Sequence, residues 1–149
     1  MSDDALALDN QLCFALYSAS RALTRAYAPL LEPLGLTYPQ YLVCLALWER
    51  DGRPVNELGT CLALDSGTLT PLLKRLEQAG VVERRRSTSD ERVVQIYLTP
   101  AGRALRARAR RVPKELAKLA GFEDLGAIRR LRDELVALAA RISVLTENQ

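Results

Sequence analysis

The sequence predicts a mainly α-helical chain with one small β-hairpin. Leucine and alanine, both strong helix formers, number 28 and 20 among the 149 residues, whereas valine and isoleucine number only 9 and 3. Apolar residues recur at the spacing of amphipathic helices along most of the chain. The alternation that is typical of strands appears only between residues 81 and 98.

Three helices are predicted in the first part of the chain. Asp9 is expected to cap a helix that ends near Leu31, and Thr37 to cap a second helix that reaches about Arg50. A short third helix is expected at about 54–62. The second helix is predicted to bury one stripe, formed by Tyr41, Cys44, Leu45 and Trp48.

A fourth helix, at about 66–79, has two clearly different faces. Asp65 is its expected cap. Its apolar stripe consists of Leu69, Leu72, Leu73 and Leu76. At 100° per residue, the opposite face carries Gly67, Thr70, Pro71, Lys74 and Gln78. The helix therefore presents short polar and basic side chains to solvent.

The predicted hairpin and two further helices complete the chain. Residues 81–86 and 92–98 form the expected strands, joined by a polar tip. Thr99 and Pro100 mark the start of a long helix that ends near Leu119 and bends near Pro113. A last amphipathic helix is expected over about Asp124–Leu145.

The order of elements in the middle of the chain is that of a winged helix-turn-helix. A polar-faced helix of this kind fits the major groove, while the hairpin wing meets the neighbouring backbone or minor groove. The charge pattern agrees, since residues 74–111 have a net charge of +7 and residues 1–73 a net charge of −4. A basic block of this kind suits a surface that binds a polyanion such as nucleic acid, and the alternative interpretation is an ordinary solvated basic face.

Composition excludes several classes of enzyme. The chain has no histidine, so it lacks the commonest general base and metal ligand. Its three cysteines, Cys13, Cys44 and Cys61, have no spacing typical of a zinc site, and we expect neither metal nor cofactor. No apolar stretch is long enough to span a membrane. The acidic residues 1–4 are unlike a signal peptide, which predicts a cytoplasmic location.

Several motifs together resemble one family of regulators. The segment DSGTLTPLLKRLEQAG at residues 65–80 resembles the recognition helix of MarR-type winged-helix repressors. SDER at 89–92 and LTPAG at 98–102 are similar to the wing of that family. LDNQLCFALY at 8–17, Tyr27, and TYPQY at 37–41 resemble its organic-hydroperoxide-sensing branch, the OhrR-type repressors. The resemblance covers residues 8–102 closely and the last two helices only by pattern.

The resemblance implies a homodimer that binds operator DNA when reduced and releases it after oxidation of Cys13. Residues 1–149 would form one domain, with about 1–34 and 112–149 as a helical dimerisation region and about 37–100 as the DNA-binding lobe. Some members carry a second cysteine before the residue that corresponds to Gly121. Here that neighbourhood holds Lys118, Leu119 and Ala120. We therefore expect oxidised Cys13 to capture a small cellular thiol instead of a second protein thiol.

Four residues are candidates for redox sensing. Cys13 is expected in the first turns of helix one, where the helix dipole favours thiolate over thiol. Tyr17 lies one turn further on the same face. Tyr27 lies about 21 Å along the helix from Cys13, so it can serve only the cysteine of a partner subunit. Tyr38 is assigned to the same site. The alternative for Cys13 is a small buried apolar residue, and the alternative for Tyr27 and Tyr38 is aromatic core packing. Cys44, on the apolar stripe of the second helix, is predicted to be structural. Cys61, at the edge of a helix face, is predicted to be inert.

The DNA contacts are expected from the polar helix and the wing. Short hydroxyls suit phosphates or base edges, and the cations suit phosphates. The helix candidates are Ser66, Thr68, Thr70, Lys74 and Arg75. The wing candidates are Arg84, Arg85, Arg86, Asp90 and Arg92, with Asp90 holding Arg92.

Three other functions remain open for this sequence. The first is a MarR-type repressor that releases DNA when it binds a small phenolic ligand. The second is a thiol peroxidase that uses Cys13, although no resolving cysteine is evident. The third is an architectural DNA-binding protein with little sequence preference.

Overall fold

The computed structural model describes residues 4–147, so residues 1–3 of the acidic start lie outside the described residues. It confirms a mainly helical winged helix-turn-helix. The helices are α1 (Leu12–Leu31), α2 (Tyr38–Glu49), α3 (Val55–Leu62), α4 (Ser66–Gln78), α5 (Pro100–Ala109), α6 (Val112–Leu119) and α7 (Leu125–Glu147). The strands are β1 (Arg53–Pro54), β2 (Val82–Arg86) and β3 (Val94–Leu98).

Three of the four predicted helix caps are confirmed. The Thr37 hydroxyl accepts from the Gln40 backbone amide, and the Gln40 side chain accepts in return from the Thr37 amide at 2.9 Å. Asp65 caps α4 and Thr99 caps α5. The expected cap at Asp9 is wrong, because Leu8–Asn10 form a separate 3-10 turn and α1 begins only at Leu12.

α2 is the central helix of the larger compact unit, Met1–Val112. It packs against α1, α3, α4, α5 and β3, and therefore buries most of its circumference. Its buried residues are Tyr41, Val43, Cys44, Ala46 and Leu47. The predicted inward position of Leu45 is wrong, since this side chain is 42% exposed. A single-stripe pattern suits a surface helix and fails for a helix covered on several sides.

The sheet has a third strand that the sequence pattern does not predict. Its order is β1-β3-β2, and both pairings are antiparallel. In β1, Arg53 pairs with Ile96 and Pro54 with Gln95. A strand of two residues, one of them proline, is too short to show an alternation of apolar and polar residues, so it can be recognised only by its pairing with β3.

The side chain of Arg53 in β1 forms hydrogen bonds with residues of α2 and α3. Its guanidinium donates to the Ala46 carbonyl at 3.0 Å, to Glu57 at 2.8 Å and to Glu49 at 3.2 Å. The side chain is only 12% exposed, so these bonds are largely shielded from water. Arg53 thereby connects the end of α2 with the start of α3.

We expect Arg53→Ala to lower the free energy of unfolding by about 2 kcal/mol, because bonds from a shielded charged donor are lost. Urea denaturation without DNA measures this change. Arg92→Ala is the control, since Arg92 pairs with Asp90 while 90% exposed and should change stability by less than about 0.5 kcal/mol. Equal denaturation midpoints for the two variants would contradict the role assigned to Arg53.

The long helix expected after the wing is instead two helices. α5 ends at Ala109 and α6 begins at Val112, so the chain breaks at Arg110–Arg111 before the predicted bend at Pro113. Pro113 is the second residue of α6, where a missing amide hydrogen costs little. The smaller unit, Pro113–Gln149, contains α7, whose apolar residues Leu125, Leu131, Leu135 and Ile142 are exposed.

Candidate functional site

The recognition helix α4 has the two faces that its sequence predicts. Its four leucines, Leu69, Leu72, Leu73 and Leu76, are buried. The five candidate contact residues, Ser66, Thr68, Thr70, Lys74 and Arg75, are all exposed. At the first turn, the Asp65 carboxylate accepts from the Thr68 amide at 2.7 Å, and the helix continues unbroken through Pro71. The buried leucines therefore fix the rotation of α4 so that its polar face is exposed to solvent.

The three arginines of the wing lie on two different faces of the sheet. Arg84 is paired with the buried Ile96 and its Nε lies 3.8 Å from Glu77 of α4, so this face borders the recognition helix. Arg86 lies on the same face as Arg84, two residues further along β2. Arg85 lies on the opposite face, over the Tyr97 ring at 4.4 Å, and pairs with Glu83.

At the wing tip, Asp90 holds the side chain of Arg92 by hydrogen bonds. The Asp90 carboxylate accepts from Arg92 Nε at 3.1 Å, from its Nη2 at 3.2 Å and from its backbone amide at 3.1 Å. These hydrogen bonds lower the pKa of Asp90 below its ordinary value. Arg86 donates to the Glu91 carbonyl at 2.9 Å. The tip therefore presents Arg92 in a defined orientation.

Cys13 lies in the first turn of α1 and is exposed. Tyr17, one turn further on, is 59% exposed. Its hydroxyl accepts from Arg21 at 3.1 Å, and the Arg21 guanidinium lies 5.4 Å from its ring. The outer face of α1 therefore carries a thiol, a phenol and a cation at successive turns.

Tyr27 and Tyr38 meet at the other end of α1. Their ring centroids are 4.6 Å apart, and the Tyr41 ring lies 5.8 Å from Tyr27. Burial, helped by the two neighbouring phenols, raises the pKa of Tyr27 to about 12. Burial also raises the pKa of Tyr38 and Tyr41. These phenols therefore stay protonated at neutral pH and can donate hydrogen bonds.

The comparisons with known proteins identify the family. A family model described as transcriptional regulator SarA/Rot matches residues 25–108, more than half of the chain. The organic hydroperoxide resistance transcriptional regulator of Bacillus subtilis (strain 168) is 51% identical over 125 residues, covering 82% of this chain and 84% of that protein. The chain belongs to the MarR family, in its organic-hydroperoxide-resistance branch.

Further relatives of this MarR-family chain agree with that assignment. The regulator TtmR of Methylorubrum extorquens (strain PA1) is 51% identical over 136 residues, covering 91% of this chain and 69% of that protein. A solved structure of reduced AbfR bound to DNA has a TM-score of 0.80 at 37% identity, covering 95% and 99% of the two chains. AbfR of Staphylococcus epidermidis has a TM-score of 0.76 at 38% identity, covering 91% and 92%. These relatives are regulators, so this MarR-family chain is a transcriptional regulator and not an enzyme.

The two remaining thiols of this MarR-family chain lie in different environments. Cys44 is fully buried in α2, and burial raises the pKa of its thiol to about 12. Cys61 is exposed in the last turn of α3. Within residues 4–147, no cluster of side chains is suited to hold a metal ion. In the same part of the chain, no helix is long and apolar enough to cross a membrane.

The regulator's structure also shows a positioning role for Asp51 that the sequence pattern does not reveal. The Asp51 carboxylate accepts from the Leu98 amide at 2.8 Å and from the Gly52 amide at 3.0 Å. It thereby holds the end of β3 against the turn after α2. The Asp51-Gly52 pair predicts a turn, but a partner 47 residues away leaves no local signal.

Proposed function

We propose that this chain is a repressor whose operator binding is switched by organic hydroperoxides at Cys13. The observation that carries the proposal is an exposed thiol in the first turn of α1, in a chain similar to a regulator named for organic hydroperoxide resistance. Exposure gives a peroxide access to the sulfur. Binding to operator DNA places the protein in the cytoplasm.

The proposed chemistry uses one equivalent of peroxide. The Cys13 thiolate attacks the O–O bond of the hydroperoxide, and the sulfur takes the terminal hydroxyl group to become a sulfenic acid. The other oxygen leaves as an alkoxide, which takes up a proton to form the alcohol. The sulfur is oxidised by two electrons and the peroxide is reduced by two.

A small cellular thiol then completes the switch. Its sulfur displaces hydroxide from the Cys13 sulfenic acid, which gives a mixed disulfide and water. Cys44 is a poor competitor, because it is fully buried and its pKa is raised to about 12. Cys61 lies in the DNA-binding lobe at the end of α3, whereas Cys13 lies at the start of α1. The bulk of the captured thiol then favours a dimer shape that does not fit DNA.

The tyrosines are proposed to act across a homodimer. α1 is continuous from Leu12 to Leu31, so Tyr27 lies about 21 Å along the axis from the Cys13 of its own chain. Exposed apolar side chains on α1 and α7, such as Phe14, Leu131 and Leu135, offer surface to a second copy. We assign residues 1–34 and 112–149 to dimerisation and 37–100 to DNA binding. The protonated phenols of Tyr27 and Tyr38 of one chain would then donate hydrogen bonds to the Cys13 sulfur of the other chain. Tyr17, one turn from Cys13 on the same helix, would lie beside that sulfur.

A heterodimer tests the tyrosine arrangement. One chain carries Cys13→Ser and keeps Tyr27, and the other carries Tyr27→Phe and keeps Cys13. The only remaining Cys13 and the only remaining Tyr27 are therefore on different chains. If Tyr27 serves the partner, the remaining Cys13 lies opposite the intact Tyr27 and should oxidise at the wild-type rate. Sulfenic acid trapping with intact mass measures that rate. Oxidation as slow as in the Tyr27→Phe homodimer would show that Tyr27 acts within its own chain.

The DNA interface is proposed to combine α4 with one face of the wing. Ser66, Thr68 and Thr70 would reach bases or phosphates near the start of α4, and Lys74 and Arg75 would bind phosphates. Arg84 and Arg86 lie on the face of the wing that borders α4, and Asp90 orients Arg92 at the tip. Of the arginine triplet, Arg85 is the one committed to Tyr97 and Glu83.

We expect Arg84→Ala and Arg86→Ala each to reduce the slope of log affinity against log salt concentration by about 1, because each removes one phosphate contact. Arg85→Ala should leave that slope unchanged, since its guanidinium is held on the opposite face. Fluorescence anisotropy with labelled operator at several salt concentrations measures the three slopes. Equal reductions for all three arginines would contradict the assignment of faces.

The whole proposal is tested on DNA from upstream of the protein's own coding sequence. The reduced protein should retard this DNA in a gel shift, and addition of an organic hydroperoxide with a small thiol should release it. A reducing agent should then restore binding, because a mixed disulfide is reversible. Release by a phenolic ligand with no change in protein mass would instead support a ligand-gated repressor.

A further inference from the structure

Four aromatic side chains form a continuous row from α1 to the end of α2. Tyr27 and Tyr38 begin this aromatic row, Tyr41 lies in its middle and Trp48 ends it. The centroid of Tyr41 is 5.8 Å from Tyr27 and 6.4 Å from Trp48. Tyr41 is only 2% exposed. Because rings at these distances are in contact, a displacement at one end must move the next ring or open a void.

The far end of the aromatic row is bonded to the base of the wing. The indole Nε1 of Trp48 donates to the Gly102 carbonyl in α5 at 2.9 Å. Gly102 in turn lies so close to Val81 that an added Cβ would be 2.1 Å from the Val81 carbonyl oxygen. That oxygen accepts from the Thr99 amide at 3.0 Å. Val81 directly precedes β2, the first strand of the wing.

We propose that Tyr41 and Trp48 are positioning residues that transmit the state of the Cys13 site to the wing. This inference rests on the proposed function, in which Tyr27 and Tyr38 contact the partner's Cys13. When that sulfur is modified, Tyr27 and Tyr38 shift, and Tyr41 carries the shift to Trp48. The bond from Trp48 to Gly102 then moves the start of α5 against Val81, and the wing changes its position.

A coupling role differs from a merely structural one in what it predicts. A structural residue, when substituted, lowers operator affinity equally in the reduced and oxidised protein. Substitution of a coupling residue changes the ratio of reduced to oxidised operator affinity, because that ratio measures the coupling free energy between the Cys13 site and the DNA-binding site. The ratio is therefore the decisive quantity.

The test uses Trp48→Phe, which keeps an aromatic ring and removes the donor to Gly102. Operator affinity is measured for fully reduced protein and for protein whose Cys13 is fully oxidised, as verified by intact mass. We expect reduced affinity to stay within about threefold of wild type and the ratio of reduced to oxidised affinity to fall by at least about fivefold. Leu45→Ala is the matched control, since Leu45 lies on α2 outside the aromatic row and is exposed; its ratio should not change.

The outcomes separate this inference from the proposed function. If oxidised wild-type protein releases DNA and Trp48→Phe keeps the wild-type ratio, the transmission role is overturned while the peroxide switch stands. If oxidised wild-type protein keeps its DNA, both fail. Tyr41→Leu provides a second variant if Trp48→Phe does not fold, as judged by circular dichroism, and its ratio should fall in the same way.

Discussion

Replacing Cys13 with serine should leave operator binding intact and abolish its response to organic hydroperoxide. Serine has nearly the same size and shape as cysteine, and its hydroxyl can be hydrated at this exposed position, so the first turn of α1 should keep its structure. Its hydroxyl is not a nucleophile for the O–O bond at neutral pH. In a gel shift, the variant should bind DNA with wild-type affinity at every peroxide concentration that releases the wild type.

Two further variants serve as controls for the cysteine assignment. Cys44→Ala and Cys61→Ser should both release DNA as the wild type does. Alanine is the better choice at Cys44, because a serine hydroxyl there would be buried. Intact mass after oxidation should show one small-thiol adduct per chain. A stoichiometric covalent dimer linked through Cys61 would make the protein a two-cysteine sensor and overturn the single-thiol mechanism.

Gly102→Ala should lower the free energy of unfolding by at least about 3 kcal/mol, since the new methyl group has no space. Its Cβ would lie 2.1 Å from the Val81 carbonyl oxygen and 3.2 Å from a Leu98 methyl group. The first contact is with backbone, so it cannot be relieved by a change of side-chain rotamer. Thermal and urea denaturation should both show the loss.

Gly67→Ala is the matched control for that substitution. Gly67 also lies in a helix of the same compact unit, but its added Cβ would meet only the Asp65 carboxylate, at 3.3 Å. Alanine favours the helix, whereas the crowded Asp65 carboxylate is also the cap of α4, so these effects oppose each other and stability should change by less than about 1 kcal/mol. Equal destabilisation by both variants would show that the contact between Gly102 and Val81 does not determine the effect.

The features that sequence predicts well in this protein are those fixed by near neighbours. Caps at Thr37, Asp65 and Thr99 depend on residues three positions away. The leucine stripe of α4 depends on helical periodicity alone. The motifs that resemble the MarR family lie within such local segments, and for this reason they could be recognised without a structure.

The features that sequence does not predict depend on distant partners. β1 exists only because Ile96 and Gln95 lie beside it. Leu45 is exposed because the elements around α2 leave that position uncovered. Strand alternation separates Arg85 from Arg84 and Arg86, but only the contact of Arg84 with Glu77 shows which of the two faces borders the recognition helix. Similarly, nothing near Trp48 in the chain indicates a bond to a residue 54 positions away.

Trp48 is also the single tryptophan of the chain. Excitation at a wavelength that tryptophan absorbs and tyrosine does not therefore gives emission from one point, the junction of α2 and α5. Indole emission is sensitive to polarity and hydrogen bonding, and this indole is half-buried with its N–H bonded to a backbone carbonyl. Structural changes at the base of the wing can consequently be followed in real time without attaching a label.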